Sequence, residues 1–265
     1  MLKILKTLFN KEETKECVFI HIPKCGGSSF IGLLKDSVKL NKEKTNTATH
    51  LIRKVGNTTI EHVDFSTIYR KFRKPQIFNN AINTNYLDKE LFMLVRNPID
   101  RLYSEFNFQY HILNGKNGNP NDAIISSLKK MPNCFEEYIA NKETQNYQCK
   151  FLIGRPIADP NPLLQSEFDT IIETIEHLNI HCGTTESFDF FLSKFVRISK
   201  IQLKKKFILR KRTPKHFKGE ISERTKKKIR EKNKFDFMLY EYIKSNNKTN
   251  QKKEYKVQET DEFIV

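Results

Sequence analysis

The sequence predicts an α/β fold with a central parallel sheet flanked by helices, and three observations lead there. Short apolar, β-branched runs recur at residues 17–22, 91–95 and 178–182. Each is followed by apolar side chains at helical spacing, and strand–helix alternation of this kind implies parallel pairing. The first two runs pass into their helices through sharp loops, one carrying two glycines and the other a proline.

The first strand, CVFIHI, stops at Pro23, and a loop over residues 23–27 follows. Residues 28–40 then space Phe30, Ile31, Leu33, Leu34 and Val38 as a helix, with Ser28 or Ser29 available to cap it. The second strand stops at Arg96-Asn97-Pro98. Its helix, 99–112, puts Leu102, Tyr103, Phe106 and Tyr110 on one face, and Pro98 suits the first turn. Between these units residues 65–72 have helical character and 79–88 are Asn-rich and turn-like, while 114–121 form a plain loop. Residues 123–150 give helical segments broken at Pro132, and the three prolines of 154–162 require an irregular crossing. Helix resumes near Ser166. The third strand ends at Gly183, and a Phe-rich amphipathic helix follows over 187–198. Residues after Ser245 read as a polar, weakly ordered tail. The organisation is therefore an extension over 1–16, one domain over 17–244 and a tail over 245–265.

The chain has 265 residues, 38% hydrophobic and 29% charged, enough to bury a core without crosslinks and unlike a disordered or fibrous composition. Apolar runs reach about five residues, far below the roughly 18–20 that span a bilayer. The opening residues, 1–9, are too briefly apolar for a signal peptide, so a cytoplasmic location is expected. Five cysteines without a CxxC pair indicate neither a zinc site nor a disulfide framework, and at least three are expected to be buried thiols. The net charge of +16 favours an anionic ligand or partner without choosing among them.

Two segments carry chemistry. In HIPKCGGSSF, Lys24, Cys25, Gly26, Gly27, Ser28 and Ser29 lie where a strand hands over to a helix. Glycines let backbone N–H groups approach an anion, the helix N-terminus adds positive potential, and the lysine and hydroxyls complete a phosphate cradle. A nucleoside-triphosphate loop of the form GxxxxGK[ST] would place its lysine after the glycines, so triphosphate hydrolysis is disfavoured. In FMLVRNPIDRLYS, Arg96 ends a strand and Ser104 lies eight residues on, inside the next helix, where both can meet one phosphate. The plain alternatives are a strand-to-helix turn that needs glycine, and a capped helix with Asp100 and Arg101 solvated.

Together the two segments resemble the sulfotransferase superfamily that uses 3′-phosphoadenosine-5′-phosphosulfate. There a PKxGGTS-like loop grips the phosphosulfate and an RNPxxRxxS-like segment grips the 3′-phosphate. The spacing of some seventy residues, and weaker likenesses at 146–154, 182–188 and 211–240, resemble the carbohydrate branch, in particular glycan 2-O-sulfotransferases. The resemblance implies that Lys24 through Ser29 contact the phosphosulfate and that Arg96 and Ser104 hold the 3′-phosphate. It also implies that a late basic loop containing Lys211 and Arg212 closes over the nucleotide. No metal is expected. Cys25 and Ser28 stand where the family more often has Thr, and a thiol is the poorer donor.

Sulfuryl transfer also needs positive charge on the transferring oxygens, a role for Lys24, and a base for the acceptor hydroxyl. By resemblance His62, between the two motifs, is the catalytic base, with His50 and Glu61 as rivals. His21, His111 and His177 read as structural or helix-face residues and Cys149 as a core thiol. Residues 200–234 hold sixteen Lys and Arg against three Glu, a basic stretch able to meet an acidic glycan. No nucleic-acid motif accompanies it. The expected activity is transfer to a carbohydrate hydroxyl, and the rivals are a P-loop-like kinase and a non-enzymatic polyanion binder.

Overall fold

The computed structural model describes residues 16–37, 52–55, 58–61, 89–113, 132, 134–156, 159–200 and 220–261. Its strands are β1 (Cys17–Ile20), β2 (Ile52–Val55), β3 (Thr58–Glu61), β4 (Glu90–Val95) and β5 (His181–Thr184). They form one sheet in the order β2-β3-β1-β4-β5. β1 pairs in parallel with β3 and β4, β4 pairs in parallel with β5, and β2 is antiparallel at the edge. The expected parallel sheet is thus present. Its centre is the first strand; the connection after β1 runs to β2 and β3 on one side and the connection after β4 to β5 on the other, the divergence that opens a crevice at the carboxyl ends of the strands.

Period-two alternation sends the central strands' side chains to opposite layers. Val18, Ile20, Leu91, Met93 and Val95 face one layer, where α4 (Tyr147–Leu152), α5 (Gln165–His177) and α8 (Lys234–Asp261) supply Leu152, Ile171 and Leu239. Cys17, Phe19, Phe92 and Leu94 face the other, with Phe30 from α1 (Gly27–Ser37) and Phe191 and Phe195 from α6 (Phe188–Ser199). The ring centroids of Phe19 and Phe30 are 4.4 Å apart, and those of Phe30 and Phe195 4.9 Å. Each such buried ring contributes about 1.5–3 kcal/mol. A third cluster joins α2 (Pro98–Leu113) to α3 (Phe135–Ala140) and α7 (Glu223–Lys232) through Phe106, Tyr138 and Ile229.

The third strand is displaced from its expected place. Leu178 caps α5 by donating to Thr174, Asn179 takes a left-handed φ of 48°, and Ile180 donates back to Ile175. Helix capping thus claims 178–180 and the strand starts at His181. Gly183 lies within that strand because a Cβ there would fall 2.6 Å from the Phe191 ring. β2 was not anticipated. The expected tail is also corrected: α8 runs unbroken through Ser245 to Asp261. Lys, Gln and Glu propagate a helix already nucleated by the packed turns before them. Among the described residues no helix is long and apolar enough to cross a membrane. All five cysteines are free, and Cys17, Cys25 and Cys149 are buried as expected. Residues 65–72, 79–88 and 114–121 lie outside the described residues.

Candidate functional site

Parallel pairing brings the chemistry-bearing segments together. The carboxyl ends of β1, β3, β4 and β5 share one edge of the sheet, with Ile20 opposite both Glu61 and Met93, and Val95 opposite Thr184. The loop after β1 and the Arg96-Asn97 turn after β4 therefore leave adjacent strands side by side.

The first loop is held by its own backbone. Cys25 N–H donates to Ile22 O at 3.3 Å, and Gly26 O accepts from Ser29 N–H at 3.0 Å and Phe30 N–H at 3.2 Å. Gly26, at φ 84°, thereby starts α1. Ser28 and Ser29 lie inside the first turn instead of capping it. Among the described residues no acceptor meets the N–H groups of Gly26, Gly27 or Ser28. Those are the orphan donors of a helix start, and with Ser28 exposed they form an anion-attracting edge. Gly27 is dictated from below: a Cβ there would sit 2.1 Å from the His21 ring. His21 is therefore packing, as anticipated. Lys24 occupies the left-handed region at φ 66°, and its ammonium lies 3.6 Å from the Phe108 ring centroid on α2.

The second turn is capped locally, Asn97 Oδ1 accepting from Ile99 N–H at 3.0 Å and Asn97 O from Arg101 N–H at 2.9 Å. Arg96 reaches back to the first loop, its Nη1 donating to Lys24 O at 3.3 Å. Gln148 on α4 joins both, accepting from Arg96 N–H at 3.0 Å and from the Cys25 thiol at 3.2 Å while donating to Arg96 O at 3.0 Å. Burial pushes the Cys25 thiol up to about 12, so it remains a protonated donor. Its thiol and N–H are both engaged within the fold, which leaves neither for a ligand.

Behind this lies a buried polar support. Asp236 on α8 accepts from Gln148 N–H at 3.1 Å and Cys149 N–H at 2.9 Å. Burial raises its pKa, opposed by those two N–H groups and by Arg101. Asn146 Oδ1 accepts from Phe235 and Asp236 N–H, and Asn146 N–H donates to Asn233 Oδ1, so the segments 146–154 and 233–240 clasp each other. Arg101 is 1% exposed, pairs with Glu105 at 3.3 Å and lies 3.6 Å over the Tyr147 ring. The solvated reading of Arg101 is therefore wrong, since its turn of α2 faces α4 and the interior. Burial disfavours its charge, yet Glu105, Tyr147 and Tyr138 outweigh this and leave its pKa raised.

Residues 8–243 match the profile of the Sulfotransferase family. The chain belongs to that family. No curated protein matches the sequence. Of the residues expected to form the sulfotransferase site, Lys24–Ser29 and Arg96 come together, and Ser104 lies half-buried two turns into α2. His62, His50, Lys211 and Arg212 lie outside the described residues; β3, whose last residue Glu61 directly precedes His62 in the chain, ends at this edge. Gln148, Asp236 and Phe108 were not singled out by sequence reasoning. The signal for the first two was present in the likenesses at 146–154 and 211–240, though only the fold shows what they hold.

Proposed function

We propose that the protein transfers a sulfuryl group from 3′-phosphoadenosine-5′-phosphosulfate to a carbohydrate hydroxyl. The observation that carries this is the Arg96–Lys24 contact, which sets the Arg96 guanidinium at the same strand edge as three N–H groups that no acceptor among the described residues meets. A nucleotide with phosphate at both ends of its ribose suits that donor set. The Gly26, Gly27 and Ser28 N–H groups and the Ser28 and Ser29 hydroxyls would hold the 5′ end, and Arg96 and Ser104 the 3′-phosphate. Bound there, the donor supplies the activated sulfuryl group. Lys24 stabilises negative charge on the transferring oxygens, His62 takes the acceptor's proton, and Lys211 and Arg212 cover the nucleotide.

An acidic acceptor is supported by α7, which buries Thr225 and Ile229 and turns Arg224, Lys227, Lys228 and Arg230 outward. The test is acceptor-dependent release of 3′,5′-phosphoadenosine from the donor, with neutral and acidic oligosaccharides compared. Release dependent on a sugar hydroxyl is expected, and none with any sugar would refute the assignment.

Arg96→Ala should weaken 3′,5′-phosphoadenosine binding by about 1.5–3 kcal/mol, the loss of a charge-assisted hydrogen bond. The same substitution should barely change binding of 5′-AMP. Calorimetric titration of both nucleotides against both proteins checks this, and equal losses for the two would place Arg96 away from the 3′-phosphate.

A further inference from the structure

Arg96 is the first residue past β4, where the ladder with β1 has already ended at Ile20 opposite Met93. Its peptide N–H and C=O therefore lack a strand partner on that side, and both need one. Gln148 provides it. One carboxamide donates to Arg96 O and accepts from Arg96 N–H, each at 3.0 Å, pairing with both groups of a single residue as a neighbouring strand would. The same Oε1 accepts the Cys25 thiol at 3.2 Å, so the clamp spans both loops. Gln148 is fully buried, and its own N–H is fixed by Asp236 at 3.1 Å. Such a side chain has no freedom to bind substrate.

We infer that Gln148 is a positioning residue that sets discrimination for the 3′-phosphate: it locks the Arg96 backbone so that the guanidinium stays on the Lys24 carbonyl at the nucleotide edge. This rests on the nucleotide assignment above. The N–H groups of Gly26, Gly27 and Ser28 belong to a turn closed by Gly26 O, and Cys25, where Gln148 touches that loop, is also held by its own N–H to Ile22 O, so the first loop depends on Gln148 less than Arg96 does. Loss of the clamp should therefore fall on one end of the nucleotide and not the other.

The experiment measures dissociation constants of 5′-AMP and 3′,5′-phosphoadenosine for wild type, Gln148→Leu and Gln148→Glu. In wild type the 3′-phosphate should improve affinity about tenfold or more, as expected for a hydrogen bond to a charged group. Gln148→Leu should lower that preference at least about fivefold while shifting 5′-AMP affinity less than about threefold, a split that a general loss of structure would not produce. Gln148→Glu keeps the acceptor and loses the donor only when ionised, so an intermediate preference is expected at high pH, returning toward the wild-type preference as the buried carboxyl protonates. Should Gln148→Leu not fold, Gln148→Glu and nuclear Overhauser contacts from the Gln148 carboxamide protons to the Arg96 amide in wild type decide the matter. A folded Gln148→Leu with the wild-type preference, a Gln148→Glu that keeps it at high pH, or absence of those contacts overturns this inference alone. Equal wild-type affinity for the two nucleotides overturns the underlying nucleotide assignment and this inference with it.

Discussion

Lys24→Ala is expected to reduce the turnover rate about 10²–10³-fold, the scale for removing one preorganised charge partner of a transition state. The Michaelis constant for the sulfuryl donor should change much less if, as proposed, the ammonium meets charge that develops chiefly during transfer. The geometry supports a dedicated role. Lys24 is held at φ 66° with its carbonyl accepting from Arg96 and its ammonium 3.6 Å from the Phe108 ring centroid. A cation–π contact of this kind is worth about 0.5–2 kcal/mol, less than the attraction of an adjacent anion. Alanine bears a Cβ as lysine does, so the left-handed backbone is no more strained in the variant. Steady-state rates against donor concentration check the expectation. A raised Michaelis constant at unchanged turnover would make Lys24 a binding residue only.

His62→Ala is expected to lose transfer by about 10²–10⁴-fold while keeping nucleotide affinity and melting temperature. An imidazole ordinarily titrates near pH 6.5 and acts as a base only when neutral, so the wild-type rate should rise with pH through that range and then level off. The variant should lose that rise. β3 supports this placement by ending with Glu61 beside Ile20, at the same edge as the glycine loop, one residue before His62. His50→Ala and Glu61→Gln, assayed in parallel, identify the base instead if either loses transfer while His62→Ala retains it.

The strand–loop–helix unit at β1 was legible because its signals agree: an apolar run ends at proline, glycines follow, and a 3.6-residue period begins. β4 and α2 were legible for the same reason. β2 was not, being four residues long with two basic side chains, although Gly56-Asn57 between it and β3 is the composition of a two-residue hairpin. Apolar content alone drew the third strand onto Leu178 and Ile180, and could not show that both serve the end of α5. Composition also misled at the C-terminus, where polar residues after Ser245 extend α8 as helix. Within the site, the loop glycines and Arg96 were legible as motif residues. Gln148 and Arg101 were not, because a polar residue is recognised as buried only once the elements packed over it are known. Asp236, from a segment 88 residues beyond Gln148, is of the same kind.

The proposed function requires two loops on neighbouring strands to make one site for a nucleotide phosphorylated at both ends of its ribose. Thermal unfolding of the wild-type protein, titrated with 3′,5′-phosphoadenosine, 5′-AMP and magnesium ATP, measures whether they do. A ligand that binds only the native state raises stability by mass action. 3′,5′-Phosphoadenosine is expected to raise the melting temperature at concentrations where 5′-AMP and ATP leave it unmoved. Equal stabilisation by 5′-AMP, or stronger stabilisation by magnesium ATP, would contradict the proposed function.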